Sequence, residues 1–376
     1  MSLLLNDEQT MLRDTAAGFL ADRSPLALQR RLRDGGDALR YDAALWREVV
    51  DLGWTAAALP EADGGLAAGW KALGAVFEQM GRRLCALPLL SSVVLGTTLL
   101  IEAGSADQRA AWLAPLVAGT QRWALALDEG PRHAPQAIAC AATRTASGAW
   151  RLDGAKVDVI DGVGADAFVV VAHADGRLAL FVVPAEAAGV EVAALHRIDS
   201  RNAARVMLRG VEVGDEWRLG VAADGVAEQA LDQALDRARL CLAAETLGLA
   251  RAAFEMTIGY LKERVQFDVP IGSFQALQHR AARLYIGLEL LESSVAAGFE
   301  ALDGRPGEVA ALARLAEARA ADLGEQLLNE AVQMHGGIGV TDEFDLGLFL
   351  KRARVLGATF GDSLFHRDRY ARLQGF

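Results

Sequence analysis

The sequence predicts an α+β chain in three parts: an N-terminal α-helical domain over 1–115, a middle β-barrel or sandwich over 116–223 and a C-terminal four-helix bundle over 224–376. Three observations carry this. Apolar residues recur at helical spacing at both ends of the chain. In the middle they alternate, or run in short β-branched stretches. Turn residues such as Asp153-Gly154 and Asp175-Gly176 punctuate that middle part. At 376 residues the chain is long enough for two or three domains around a large core.

In the first part, "NDEQTMLRDTAAGFLAD" opens at Asn6, a good N-cap, and places Met11, Ala16, Phe19 and Leu20 at helical spacing. "DAALWREVVDLGW" repeats the pattern through Leu45, Val49 and Leu52. "LPEADGGLAAGW" is a Pro/Gly loop leading into the helix "KALGAVFEQMGRRL". The most apolar stretch, "LCALPLLSSVVLGTTLLIEAG", carries a Pro and several Ser and Thr, which predicts a buried core helix and not a membrane span. The middle part reads as an all-β insert. In the third, one helix keeps an apolar seam through Leu231, Leu235, Ala238, Leu242, Leu249, Ala252 and Met256. "GRPGE" near 304 reads as a loop, and a later helix stops at Gly336-Gly337.

Composition excludes several function classes. The chain is 52% hydrophobic and 23% charged, so wholesale disorder is not expected. Its 38 basic against 49 acidic residues give a formal charge of -11, which argues against broad nucleic-acid binding. Cys85, Cys140 and Cys241 are odd in number and form no CxxC, so neither a disulfide framework nor a zinc site is expected, and a reducing cytoplasm fits. The N-terminal apolar run is too short for a signal peptide.

Two runs carry chemistry. "ERVQFDVPIGSFQALQHR", from Glu263, gathers Arg264, Phe267, Pro270, Gly272, Gln275 and Gln278. "QMHGGIGVTDEFDLGLFLKR" follows far downstream with Gln333, Gly336 and Gly337. Arg264 has a planar fork suited to phosphate oxygens, and glycines without Cβ let a ligand approach the backbone. From residue types alone the glutamines can equally be solvated, Phe267 core filler, and the glycines a helix cap.

Along nearly its whole length the chain resembles the acyl-CoA dehydrogenase family. The first run is similar to that family's R-x-x-F-G-x-P-I-x-x-F-Q-x-x-Q signature, the second to its Q-x-x-G-G-x-G segment. "GWTAAALPEADGGLAAG" is similar to its P-E-x-x-G-G loop, and "WRLDGAKVDVIDGVGAD" to its flavin-side strands. The resemblance implies FAD as cofactor, with Arg264 at the pyrophosphate, Phe267, Gln275 and Gln278 along the dinucleotide, and Gln333, Gly336 and Gly337 at its adenine end. It implies an acyl-CoA substrate, α,β-dehydrogenation, electron-transfer flavoprotein as electron acceptor, and a dimer or tetramer.

The pattern departs from the family where the chemistry sits. The family's base is a Glu, which burial tunes toward neutrality. At its usual place stands Phe360, and at the alternative place, just before Arg239, stands Ala238. Neither accepts a proton. Glu245 and Asp362 are the remaining candidate bases. Glu245 lies seven residues past Ala238, about 10 Å along a helix, and is expected to be buried and paired. Asp362 is expected to cap the final helix. The T-E-P-x-x-G-S-D loop reads "DEGPRHAP"; Asp158 and Ile160 replace the family's Trp and Thr or Ser beside the flavin ring; Asp268 replaces a Gly.

In this family each FAD lies at a subunit interface. The features serving the chain's own flavin ring are eroded, and those serving a neighbour's flavin are kept. The chain thus resembles the degenerate subunit of bacterial heterotetramers, which completes a catalytic paralogue's FAD site. The alternatives are an active homo-oligomer with Glu245 or Asp362 as relocated base, a flavin monooxygenase or nitroalkane oxidase on the same fold, and a non-redox scaffold.

Overall fold

The computed structural model describes residues 5–376, so Leu3 and Leu4 of the N-terminal apolar run lie outside the described residues. Helix α1 (Asp7–Arg23) opens with a capping box. Asn6 accepts the Gln9 N–H at 2.8 Å, and the Gln9 side chain accepts the Asn6 N–H at 3.1 Å. Ala16 and Leu20 are buried but Met11 is exposed, so the inward stripe is narrower than its spacing predicts. Helix α2 (Leu26–Asp34) precedes α3 (Ala43–Asp51), which starts on the Asp42 carboxylate and buries Leu45, Trp46 and Val49, with Leu52 at its exposed end. Then come α4 (Trp70–Arg82), α5 (Thr97–Ala103) and α6 (Ala106–Val117). The apolar run is buried as expected, although Leu89–Gly96 winds as a π-helix before α5 begins. Among the described residues no helix is long and apolar enough to cross a membrane.

The middle of the chain forms β1 (Trp123–Ala126), β2 (Ala141–Arg144), β3 (Trp150–Ile160), β4 (Ala167–Ala174), β5 (Arg177–Pro184), β6 (Val190–Ala194), β7 (Ala203–Val213) and β8 (Arg218–Leu219). They make one eight-stranded sheet in the order β6-β7-β3-β2-β4-β5-β8, with β1 parallel to β4. Asp175 and Gly176 both have positive φ and close the β4–β5 hairpin, as a two-residue turn of this handedness requires. Asp153-Gly154 does not form a turn. It lies inside β3, where the register against β7 shifts. Asp153 accepts the Gly210 N–H at 2.7 Å, and a Cβ on Gly154 would meet Cys140 at 2.8 Å, so the dipeptide makes a bulge.

The C-terminal part holds α7 (Val226–Glu263), the hairpin β9 (Val265–Gln266) and β10 (Val269–Pro270), then α8 (Gln275–Gly304), α9 (Val309–His335), α10 (Leu346–Leu356) and α11 (Ser363–Leu373). From Ala238 to Ala250 every residue of α7 is buried, so this stretch is surrounded and not merely amphipathic. Gly336, at φ +64, ends α9.

The chain forms two compact units. One comprises the described residues up to Arg31, Ala68–Cys85 and Arg239–Phe376; the other comprises Leu32–Ala67 and Ala86–Ala238. In the first unit, Asp303 near the end of α8 accepts the N–H groups of Trp70 and Lys71 at the start of α4. Further along, α4 and α7 touch through glycines. A Cβ on Gly81 would lie 1.9 Å from the Glu245 carbonyl oxygen, and one on Gly248 1.8 Å from that of Glu78. Backbone cannot swing away as a side chain can. Gly248→Ala is therefore expected to cost about 2 kcal/mol, read as a lower denaturation midpoint.

Candidate functional site

The two motif runs meet in the first unit. Phe267 and Asp268 both have positive φ, and they form the two-residue turn between β9 and β10. That backbone explains why a Gly would suit position 268, and Asp is among the side chains that tolerate it best. The turn pushes Phe267 into solvent, 87% exposed, with its ring edge-on to Phe274 at 6.1 Å. Arg264, Gln275, Gln278 and Gln333 are all exposed. Gln278 reaches back to the Gly272 carbonyl at 3.0 Å. Gly336 and Gly337 are exposed, with no atom within 4 Å of where a Cβ would stand.

His335 holds the runs together. Its ring stacks on Tyr260 at 4.5 Å and packs against Phe344 at 4.8 Å, while Nδ1 donates to the Ala331 carbonyl at 2.8 Å. Burial lowers its pKa, so the ring stays neutral. Tyr260 lies one turn before Arg264, and His335 directly before Gly336. Arg280 of α8 meets Glu330 of α9 at 2.5 Å and adds a second tie.

The expected base position lies in the same unit and holds no acid. Phe360 is buried at φ +54, and the following Gly361 sits at φ +122. Arg239, 1% exposed, donates to the Phe360 carbonyl from Nε at 3.3 Å and Nη2 at 3.2 Å. Ala238 is buried. Asp362 caps α11 by accepting the Phe365 N–H at 2.8 Å. Glu245, 3% exposed, takes a bidentate pair from Arg352 at 2.8 and 2.9 Å. Both remaining carboxylate candidates are thus engaged in structural contacts.

The second unit contains the strand that the sequence reading placed beside a flavin ring. β3 leaves its register with β7 between Lys156 and Val159, and Val157 instead donates to the Asp128 carbonyl at 2.8 Å. At this bulge Asp158 has φ +51, with Arg197 at 3.6 Å. Ile160 is half-buried. The "DEGPRHAP" loop folds onto its own groups. Asp128 pairs with His133 at 3.1 Å. Glu129 accepts from the buried Lys156 ammonium at 2.6 Å and from the Ala139 and Cys140 N–H groups at 2.7 and 2.9 Å. Burial alone would raise the Glu129 pKa, but the Lys156 bond and the two amides outweigh it and hold it below the usual range. The Cys140 thiol beside them is pushed up to about 11 by burial, so it is no nucleophile at neutral pH.

Lys156→Met tests this knot. Glu129 keeps two backbone donors, so the expected loss is about 2 kcal/mol, less than for a fully stranded charge. Because the folded-state pKa of Glu129 lies below its unfolded value, the stabilisation is present above the unfolded pKa and fades as pH falls through the folded one. The gap between wild type and variant should narrow in acid, read from thermal unfolding across pH.

Comparison with known proteins decides the family. The family model for the acyl-CoA dehydrogenase C-terminal domain matches residues 224–374, and that for the N-terminal domain matches residues 6–120. The acyl-CoA dehydrogenase FadE27 of Mycobacterium tuberculosis is 32% identical over 344 residues, covering 89% of this chain and 88% of its own. The chain belongs to the acyl-CoA dehydrogenase family. Two solved structures match it throughout. One is a variant of the Tcur3481-Tcur3483 steroid ACAD, 31% identical with a TM-score of 0.88, covering 99% of each chain. The other is the ChsE4-ChsE5 complex from Mycobacterium tuberculosis, 28% identical with a TM-score of 0.90, covering 100% of this chain and 99% of that one. Acyl-CoA dehydrogenases are FAD-dependent oxidoreductases.

Within this acyl-CoA dehydrogenase, the sequence reading missed Glu317. It lies on the buried stripe of α9 with Ala313, Ala316 and Ala320, and is itself buried. The signal was legible: a carboxylate at helical spacing among alanines and leucines. Lys156, Glu129 and Arg197 were also missed, because the sheet and its bulge bring Lys156 to Glu129 and Arg197 to Asp158 across tens of residues.

Proposed function

We propose that this chain is a subunit of a FAD-dependent acyl-CoA dehydrogenase that completes a catalytic partner's FAD site without supplying the base. One contrast carries the reading. The clamp residues Arg264, Phe267, Gln275, Gln278, Gln333, Gly336 and Gly337 are exposed and face outward, while Phe360 and Ala238 fill both base positions with apolar side chains. The clamp fits a dinucleotide: a guanidinium for phosphate oxygens, an exposed aromatic ring, amide side chains, and glycines with open space where a Cβ would stand.

Bound FAD supplies the hydride acceptor of α,β-dehydrogenation. The chain's own residues bind and orient. Arg264 would neutralise the pyrophosphate, Phe267 with Gln275 and Gln278 would line the dinucleotide, and Gln333 with the Gly336-Gly337 backbone would meet the adenine end. In the second unit, Asp158, with Arg197 at 3.6 Å, replaces one of the two side chains that the family resemblance would set beside the flavin ring.

Association with another chain is supported by the exposed apolar side chains of α8, Tyr285, Ile286 and Leu290, and by Ile338 and Val340 beyond α9. The ChsE4-ChsE5 and Tcur3481-Tcur3483 relatives are two-component by name, and the second acts on steroids. A steroid-derived acyl-CoA is accordingly the first substrate to test. We place the protein in the cytoplasm, keep the domain boundaries at residues 115 and 223, and take electron-transfer flavoprotein as the electron acceptor. The reading with Glu245 or Asp362 as base is disfavoured by the Arg352 pair and the α11 cap.

Co-purification with a catalytic paralogue tests the proposal. The two-chain complex should be yellow and should bleach when acyl-CoA is added, while this chain alone should be colourless. Full flavin and fast turnover in the chain alone would contradict it.

A further inference from the structure

Glu317 is a buried carboxyl of the C-terminal helices whose chemistry no role above uses. It is 1% exposed, and neither carboxylate oxygen accepts a hydrogen bond among the described residues. A bare carboxylate in such a place costs several kcal/mol, so the group keeps its proton. Burial pushes its pKa well above the usual range. The Arg239 and Arg314 charges pull it back in part, and Glu245 pushes it further up.

The neighbours define what that proton controls. From α7 come Arg239, whose Nε and Nη2 both donate to the Phe360 carbonyl, and Glu245, already taken by Arg352 of α10. α9 itself brings Arg314. α11, which packs on α9, carries His366, whose Nε2 lies 3.2 Å from the Gly361 carbonyl oxygen, and Arg367, which pairs with Asp322. The inward residues of α8 include the uncharged Leu288, Leu291, Ser294 and Val295, and its buried Glu300 is taken by Lys71. The turn that Arg239 holds has left-handed backbone at Phe360 and an open φ at Gly361, so it depends on its tethers.

We propose that Glu317 is a positioning residue for the Phe360 turn: while neutral it leaves Arg239 on the Phe360 carbonyl, and on ionisation it draws Arg239 away and loosens residues 357–362. An ionised carboxylate is the stronger acceptor for a guanidinium, because the contact then joins two full opposite charges in a buried site, whereas the Phe360 carbonyl offers only a dipole. The sign follows from linkage. The folded-state pKa lies above the unfolded one, so the stabilisation is complete below the unfolded pKa and is lost as pH rises through the folded one.

Hydrogen–deuterium exchange of the full chain from pH 6 to 9, corrected for intrinsic exchange, tests this. Wild-type amides of 357–362 should lose protection by about tenfold per pH unit above the Glu317 pKa, while α1 amides keep theirs. Glu317→Gln, a neutral mimic, should hold protection constant across the range. Glu317→Leu, which also lacks the charge, should do the same and covers failure of the amide variant to fold. A pH-independent wild type, a loss that persists in both variants, or a loss spread equally over α1 would overturn the proposal.

Discussion

Arg352→Met is expected to lower stability by about 3–5 kcal/mol, the largest single effect we anticipate for a side chain outside the cofactor clamp. Glu245 is buried on the part of α7 in which every residue is buried, and Arg352 donates to both of its oxygens. Removing the guanidinium leaves a carboxylate in the core within electrostatic reach of the Glu317 carboxyl and the Cys241 thiol, neither of which carries a positive charge to balance it. The attraction within the pair is not the whole of the loss; most comes from the stranded charge. The double variant Glu245→Leu with Arg352→Met should therefore recover much of the stability, because apolar isosteres of a buried pair pack at little or no cost. Denaturant midpoints of wild type, single and double variants check both statements. A single variant as stable as wild type would show that Glu245 finds another partner.

The second large effect concerns the clamp. In the two-chain complex, Arg264→Ala is expected to weaken flavin retention by about 10- to 100-fold, the loss of a charge-assisted contact of some 1.5–3 kcal/mol. Arg264 is exposed in the single chain, so the same change should leave its denaturation midpoint unmoved. That split separates a ligand contact from a structural one. Flavin release during gel filtration gives the first number and urea unfolding the second. Arg264→Lys should restore the charge but only part of the retention, since the ammonium lacks the planar fork.

Much of this was readable from local pattern. Asn6 announced its helix because capping is a contact of three residues' reach. The Asp175-Gly176 hairpin was legible for the same reason. The clamp runs could be found, but not what joins them. The Tyr260–His335–Phe344 stack spans 84 positions and leaves no local trace. Asp153-Gly154 misled because the dipeptide that favours a turn also suits a bulge, and Gly210 and Cys140, distant in sequence, decide between them. Likewise the engagement of Glu245 depends on Arg352, 107 residues away. The substituted residues at 158, 360 and 268 were visible one by one. Their backbone geometry, all three at positive φ, was not.

The central claim is that this chain offers half of a flavin site to a neighbour and lacks a working half of its own. The most direct measurement is flavin stoichiometry, from absorbance against protein concentration, for the chain alone and for the complex with its catalytic paralogue. We predict flavin near zero for the single chain, and one flavin for every two polypeptides in the complex. One flavin in every protomer of this chain by itself, reduced on adding acyl-CoA, would contradict the account.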